Sequence, residues 1–166
     1  LRAATLFLCD VDGVMTDGTT YWLGPELGWG QRFCHRDGDM IRELVAAGIE
    51  VLPLSRNGTA CARDRMRGLG LDTRWMGLED KGAALRSILR ESSHEAEQTI
   101  VMGDGRHDAL LMPRVGLGVS VADAHPLALE NADVVTCAPG GARAVEEFGL
   151  RLLAQRACNS EPLRQV

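Results

Sequence analysis

The stretch Thr5-Leu6-Phe7-Leu8-Cys9-Asp10-Val11-Asp12-Gly13 sets the reading of the whole chain. A short apolar run leads straight into two aspartates and a glycine. Such a run suits a strand buried on both faces, and the polar turn after it marks the strand's carboxyl end. The pattern recurs. Residues 49–54 end at Ser55-Arg56-Asn57-Gly58, and residues 99–102 end at Gly103-Asp104-Gly105. Residues 116–121 and 133–136 are further runs, and another strand is expected to end near Trp75. Helical patterns fill 37–47, 59–69, 81–90 and 142–155. In the last, Val145, Phe148, Leu152 and Leu153 fall at helical spacing and should face a sheet. The alternation predicts an α/β fold: a Rossmann-like, mostly parallel sheet flanked by helices, with right-handed crossovers.

Residues 18–34 break this rhythm. Thr19-Thr20-Tyr21-Trp22-Leu23 is followed by a turn at Gly24-Pro25 and then by Trp29-Gly30-Gln31-Arg32-Phe33, which reads as a β-hairpin flap after the first strand. The flap holds two of the three tryptophans and the only tyrosine. A two-stranded ribbon cannot bury such rings unaided, so it is expected to pack on the domain or on another subunit. The predicted organisation is one domain over 1–158, with a C-terminal tail at 159–166.

Composition narrows the function classes. The 166 residues carry 18 Lys+Arg against 23 Asp+Glu, a net charge of −5, which argues against a general nucleic-acid binder. No apolar run approaches the roughly 20 residues that span a bilayer. The N-terminus shows no basic-then-apolar leader, so a complete chain of this sequence is expected in the cytoplasm, away from membranes. The five cysteines form no Cys-x-x-Cys pair and read as reduced, mostly buried thiols. Met66, Met76, Met102 and Met112 read as core filler, Trp75 as packing, and Gly116-x-Gly118 as no dinucleotide fingerprint.

In open α/β sheets, ligands bind beyond the carboxyl ends of the strands. Asp10, Asp12, Ser55, Asp104 and Asp108 follow strands, and Lys81 opens a helix. Any one of these aspartates alone reads as a turn or cap residue. Together with Ser55 and Lys81 they read as a site. Clustered carboxylates repel one another unless a cation joins them, and an all-oxygen set suits Mg²⁺. Lys81 then serves as a point charge for a phosphoryl oxygen, and a carboxylate beside the metal can attack phosphorus.

The run Asp10-Val11-Asp12-Gly13-Val14-Met15-Thr16-Asp17-Gly18 resembles the first motif of haloacid-dehalogenase-superfamily phosphatases. Ser55, Lys81 and Gly103-Asp104-x-x-x-Asp108 resemble the second, third and fourth motifs. Arg36-Asp37-Gly38, the string Ala122-Asp123-Ala124-His125-Pro126 and Gly140-Gly141 extend the resemblance to the branch that hydrolyses 3-deoxy-D-manno-octulosonate 8-phosphate (KDO 8-phosphate) and nonulosonate phosphates. The match runs over nearly the whole chain.

The resemblance implies a fold without a large cap and a set of roles. Asp10 is implied as the nucleophile and Asp12 as the general acid and base. Mg²⁺ is implied on Asp10, the Asp12 backbone carbonyl and Asp104, with Asp108 just outside the metal's own ligands. Ser55 and Lys81 are implied on the phosphoryl group. It further implies a homotetramer with the hairpin between subunits, and a phosphorylated 2-keto-3-deoxy sugar acid as substrate.

The chain departs from the branch pattern in places. Arg56-Asn57 replaces the usual Gly-Arg or Glu-Arg, Gly105 replaces an aspartate, and Arg143 is displaced by one residue. Arg36, Arg56, His107 and Arg143 are candidate substrate contacts, and the sugar acid is left open between KDO 8-phosphate and a nonulosonate 9-phosphate. His107 reads equally as a helix cap, and His35 equally as an exposed hairpin-end residue. His125 reads as structural and His94 as solvated. A non-catalytic oligomerisation domain, related to those fused to sialic-acid cytidylyltransferases, is the alternative. Retention of Asp10, Asp12, Ser55, Lys81, Asp104 and Asp108 argues against it. A phospho-receiver domain is excluded by order, because its phosphorylated aspartate follows the third strand.

Overall fold

The computed structural model describes residues 4–160. A five-stranded sheet forms its centre, built from β1 (Leu6–Cys9), β4 (Glu50–Pro53), β5 (Thr99–Gly103), β6 (Leu117–Ser120) and β7 (Val134–Val135). The strands are all parallel and lie in the order β4-β1-β5-β6-β7. β5 is central and β1 lies beside it, with Leu8 paired to Leu52 of β4 on one side and Val101 of β5 on the other. The four residues of β1 are buried, which is why it reads as a continuous apolar run and not as an alternating one.

The hairpin strands are β2 (Tyr21–Trp22) and β3 (Trp29–Gly30), paired antiparallel. Leu23 N–H donates to the Gly28 carbonyl at 2.8 Å and closes the turn. The Trp22 and Trp29 rings lie 5.2 Å apart and cover only each other; they stay 57% and 61% exposed, and Leu27 is 75% exposed. The domain therefore does not bury this face.

The described residues also form six α-helices: α1 (His35–Ala46), α2 (Ala60–Gly68), α3 (Lys81–Glu91), α4 (Arg106–Ala109), α5 (Pro126–Asn131) and α6 (Ala144–Ser160). α6 buries Val145, Phe148 and Leu152, and half-buries Leu153. Phe148 sets its ring 5.8 Å from that of Phe7 in β1. α6 packs beside α1, and Asp37 of α1 joins the two chemically. Its fully buried carboxylate accepts the Glu146 N–H at 2.9 Å and the Arg143 N–H at 3.3 Å, capping α6 from another helix. Burial raises the Asp37 pKa, and those N–H donors work against the rise. Gly140, just before α6, packs against the loop that follows β1. A Cβ there would stand 1.9 Å from the Gly13 carbonyl oxygen, and the neighbouring Gly141 N–H donates to the Val14 carbonyl at 2.8 Å.

Several sequence expectations need correction. No strand ends near Trp75; the only pairing there is a single parallel bridge between Ser55 and Met76. The Ser55 N–H donates to the Trp75 carbonyl at 3.1 Å, but Pro53 at the end of β4 has no N–H to extend the ladder, and Arg63 holds the segment through the Thr73 and Met76 carbonyls at 2.7 Å each. Only Cys9 among the cysteines is buried; Cys34 and Cys61 are half-buried, Cys137 and Cys158 exposed, and all five are free. His94 is not solvated. It bridges Thr5 Oγ1 at 2.7 Å and Glu50 at 2.8 Å, tying the start of β1 to β4. α6 runs two residues into the expected tail, and residues 161–166 lie outside the described ones. Among the described residues no helix is long and apolar enough to cross a membrane.

Replacing Asp37 by Ala orphans buried N–H groups at the start of α6. A loss of about 2 kcal/mol is expected, at the upper end for a lost cap. Urea unfolding of Asp37→Ala measures it, and an unchanged midpoint would exclude the capping role.

Candidate active site

The site lies at the carboxyl edge of the sheet. Asp10 follows β1, and its N–H donates to the Met102 carbonyl at 2.9 Å, so the parallel ladder extends one step and fixes the residue. Its Oδ1 accepts the Val11 N–H at 2.7 Å, and its Oδ2 lies 2.8 Å from Lys81 Nζ. Lys81 is the first residue of α3. Asp80 caps that helix by accepting the Gly82 and Ala83 N–H groups at 2.7 and 3.0 Å, and the cap sets the angle at which Lys81 enters the sheet edge. Lys81 Nζ also lies 2.7 Å from Asp108 Oδ1, and Asp108 Oδ2 accepts the Gly105 N–H at 3.0 Å.

Asp104 completes an acidic cluster. One carboxylate oxygen from each of Asp10, Asp104 and Asp108 lies within 4.8 Å of the others. Gly13, at φ +81°, makes room for it. A Cβ on that residue would fall 2.1 Å from Asp104 Oδ2, so the glycine after the Asp-x-Asp pair is required by contact as well as by backbone conformation. The His125 N–H donates to the Asp104 carbonyl at 2.8 Å, while its Nδ1 accepts the Leu127 N–H at the start of α5, the structural role read from the sequence.

The electrostatics follow from burial. Burial pushes the Asp10 carboxyl from 3.8 up to about 6, with Lys81 pulling it down and Asp108 pushing it up. Burial, then repulsion from Asp10 and Asp108, raises Asp104 to about 7. Burial alone would lower Lys81, but its two carboxylate partners outweigh this and hold it above 10.5. Three carboxylates thus share one ammonium, and the acidic excess consists of oxygen donors only. That donor set fits a hard divalent cation.

Asp12, Ser55, Arg56 and His107 join Asp10 and Lys81 around one cavity of about 110 Å³. Ser55 is buried, and its Oγ accepts the Asn57 N–H at 3.1 Å. Arg56 Nη1 and His107 Nε2 lie 2.9 Å apart at the exposed mouth. Arg36 and Arg143 are not brought here. Both turn onto Glu146, at 3.3 and 2.5 Å, and Arg143 lines a separate cavity of about 400 Å³ with Cys137 and Glu147. The smaller cavity is lined by Asp10, Asp108 and Lys81; the larger one lacks the acidic cluster. Two residues at the site carry no signal in the sequence motifs. Gln31 Nε2 and Asn57 Nδ2 both donate to Asp12 Oδ1, at 2.5 and 3.1 Å. The departure at Asn57 was visible, but its pairing with a hairpin residue was not.

The chain and its fold have counterparts among known proteins. A family model described as haloacid dehalogenase-like hydrolase matches residues 79–139. The chain is 42% identical to a 3-deoxy-D-manno-octulosonate 8-phosphate phosphatase of Yersinia pestis over 93% of its own length and 83% of the relative's. The crystal structure of the phosphatase of that name from Yersinia pestis superposes with a TM-score of 0.88 at 37% identity, covering 94% of this chain and 85% of that one. The Moraxella catarrhalis phosphatase of the same name, solved with magnesium ion, phosphate ion and a KDO molecule, gives 0.89 at 26% identity, over 94% and 89%.

The raised carboxyls make a sign-specific prediction. From about pH 4 to about pH 7 the folded chain holds more protons on Asp10 and Asp104 than the unfolded chain. Their contribution to stability therefore falls as pH rises through that window. A bound divalent cation competes with those protons. Thermal unfolding in EDTA and in excess Mg²⁺ is expected to show a Tm gain from Mg²⁺ that grows with pH across the window. A gain independent of pH would count against these carboxylates as the ligands.

Proposed function

The chain belongs to the haloacid-dehalogenase superfamily of phosphatases, in its KDO 8-phosphate phosphatase branch, and on that premise we propose that it releases phosphate from a phosphorylated 2-keto-3-deoxy sugar acid, KDO 8-phosphate first and a nonulosonate 9-phosphate second. The observation that carries the reading is the meeting of Asp10, Asp12, Ser55 and Lys81 on one cavity, from separate segments at one sheet edge. The names of the relatives, and the KDO molecule in the Moraxella catarrhalis structure, support KDO 8-phosphate.

In this reading the Asp10 carboxylate attacks phosphorus, the bond from phosphorus to the sugar oxygen breaks, and an aspartyl-phosphate forms. Asp12 gives its proton to the departing alkoxide. It then takes a proton from the water that attacks phosphorus, which frees inorganic phosphate and restores Asp10. Lys81 gives two hydrogens to Asp10 and Asp108 and keeps a third for a phosphoryl oxygen. The Ser55 hydroxyl is free to donate to another. Asp10, Asp104 and the Asp12 carbonyl would hold Mg²⁺, which supplies charge neutralisation at the phosphoryl oxygens. Arg56 and His107, at the mouth, suit the acid's carboxylate.

A cavity of about 110 Å³ admits a phosphoryl group and leaves the sugar outside it. Ligand pockets commonly enclose about 300–1,000 Å³. The exposed hairpin rings offer an apolar face that a second copy could cover, and this supports the homotetramer. Replacing Trp22 and Trp29 by Ser is expected to shift the assembly towards monomer in sedimentation velocity.

Phosphate release from KDO 8-phosphate is the direct test. It is expected to require Mg²⁺ and to fall below detection in Asp10→Asn, with the circular dichroism spectrum unchanged. Turnover retained by that variant would remove Asp10 as the nucleophile.

A further inference from the structure

We propose that Gln31 and Asn57 are positioning residues for Asp12, an amide pair that locks its carboxylate through one oxygen and leaves the other for proton transfer. The proposal rests on the phosphatase reading above, with Asp12 as acid and base. Both amides donate to the same atom, Asp12 Oδ1, at 2.5 Å from Gln31 and 3.1 Å from Asn57. Asn57 Nδ2 also donates to Gln31 Oε1 at 3.1 Å, so the three side chains close a triangle. Among the described residues no hydrogen bond falls on Asp12 Oδ2.

The orientation of the Asn57 amide is not arbitrary. Its Oδ1 accepts the Thr59 N–H at 2.9 Å, and a backbone N–H can only donate. The opposite end, Nδ2, must then face Asp12 and Gln31. The Asn57 N–H in turn donates to Ser55 Oγ at 3.1 Å, so the acid's support and the phosphoryl contact share one short segment. Gln31 comes from the flap, one residue after β3, and acts on the reaction only through Asp12.

The chemical type matters as much as the geometry. Asp12 must carry a proton in one half of the reaction and lose it in the other. Amide donors fix the position of its carboxylate without placing a formal charge beside it. The resemblance places an arginine at position 57, and this chain has a neutral amide there that is itself tied to a second amide on the flap.

Leaving-group chemistry provides the test. An alkoxide leaving from KDO 8-phosphate needs the proton from Asp12; p-nitrophenolate leaves without one. Gln31→Ala removes one donor. Asn57→Leu keeps the side chain's bulk and removes the other donor without adding charge to the cavity. Rapid-mixing kinetics of both variants should show the single-turnover rate on KDO 8-phosphate down about 10- to 100-fold, part of the 10²–10⁴ that proton transfer supplies. KM for KDO 8-phosphate and the burst of p-nitrophenolate from the aryl ester should stay within about twofold of wild type, since neither depends on that proton. Equal losses on the two substrates, as misplacement of the whole site would give, or no loss on either, would overturn the proposal. Wild-type protein inactive on both would instead overturn the phosphatase reading.

Discussion

A single ammonium, Lys81 Nζ, stands between the carboxylates of Asp10 and Asp108 below the protein surface, and much of the surrounding structure is arranged around that charge. Removing it would strand two buried carboxylates, a loss far larger than any surface ion pair represents. Its position requires α3 to begin at one place, which the Asp80 cap secures. It requires β1 and β5 to end side by side, which their register secures. Because Lys81 serves two carboxylates and Asp104 adds a third, the edge keeps an excess of negative charge that protons or a cation can relieve. Burial first, and mutual repulsion after it, raise Asp10 and Asp104, and the same oxygen set could hold a divalent cation.

The sequence carried the strand edges and the charged residues on them, because both are local signals. A run such as Leu6–Cys9 followed by Asp10 announces a buried strand and its polar end without reference to anything distant. Trp75 shows the limit. The sequence predicts a strand that ends there, but Arg63 ties down the Thr73 and Met76 carbonyls and only a single bridge to Ser55 forms, a contact no local pattern reveals. His94 sits in a polar run and is nevertheless drawn between Thr5 and Glu50.

The same distinction separates the residues within the site. Asp10, Ser55 and Lys81 were legible from their place after strands or at a helix start. Gln31 was not, because its contact with Asp12 depends on where the hairpin lies over the sheet edge. Arg36 and Arg143 looked like substrate contacts, yet both serve Glu146, close to where Asp37 caps α6. The Arg-Asp-Gly run that points so specifically to the branch therefore owes at least its aspartate to helix capping, not to the phosphate.

The fit of Gly140 against the Gly13 carbonyl has a consequence for how the protein is made. In synthesis the acidic loop emerges before β4 and β5, so β1 waits for both, and the seat under Gly13 is filled only when residue 140 has emerged. Parallel pairing of this kind is slow, because distant segments must close large loops before any contact rewards them. The nascent chain thus carries bare, mutually repelling aspartates and unpaired strand edges until those segments have emerged. The loop's seat closes only after all five strands, and until then an open, shielded chain is favoured, as unfinished parallel sheets are prone to associate.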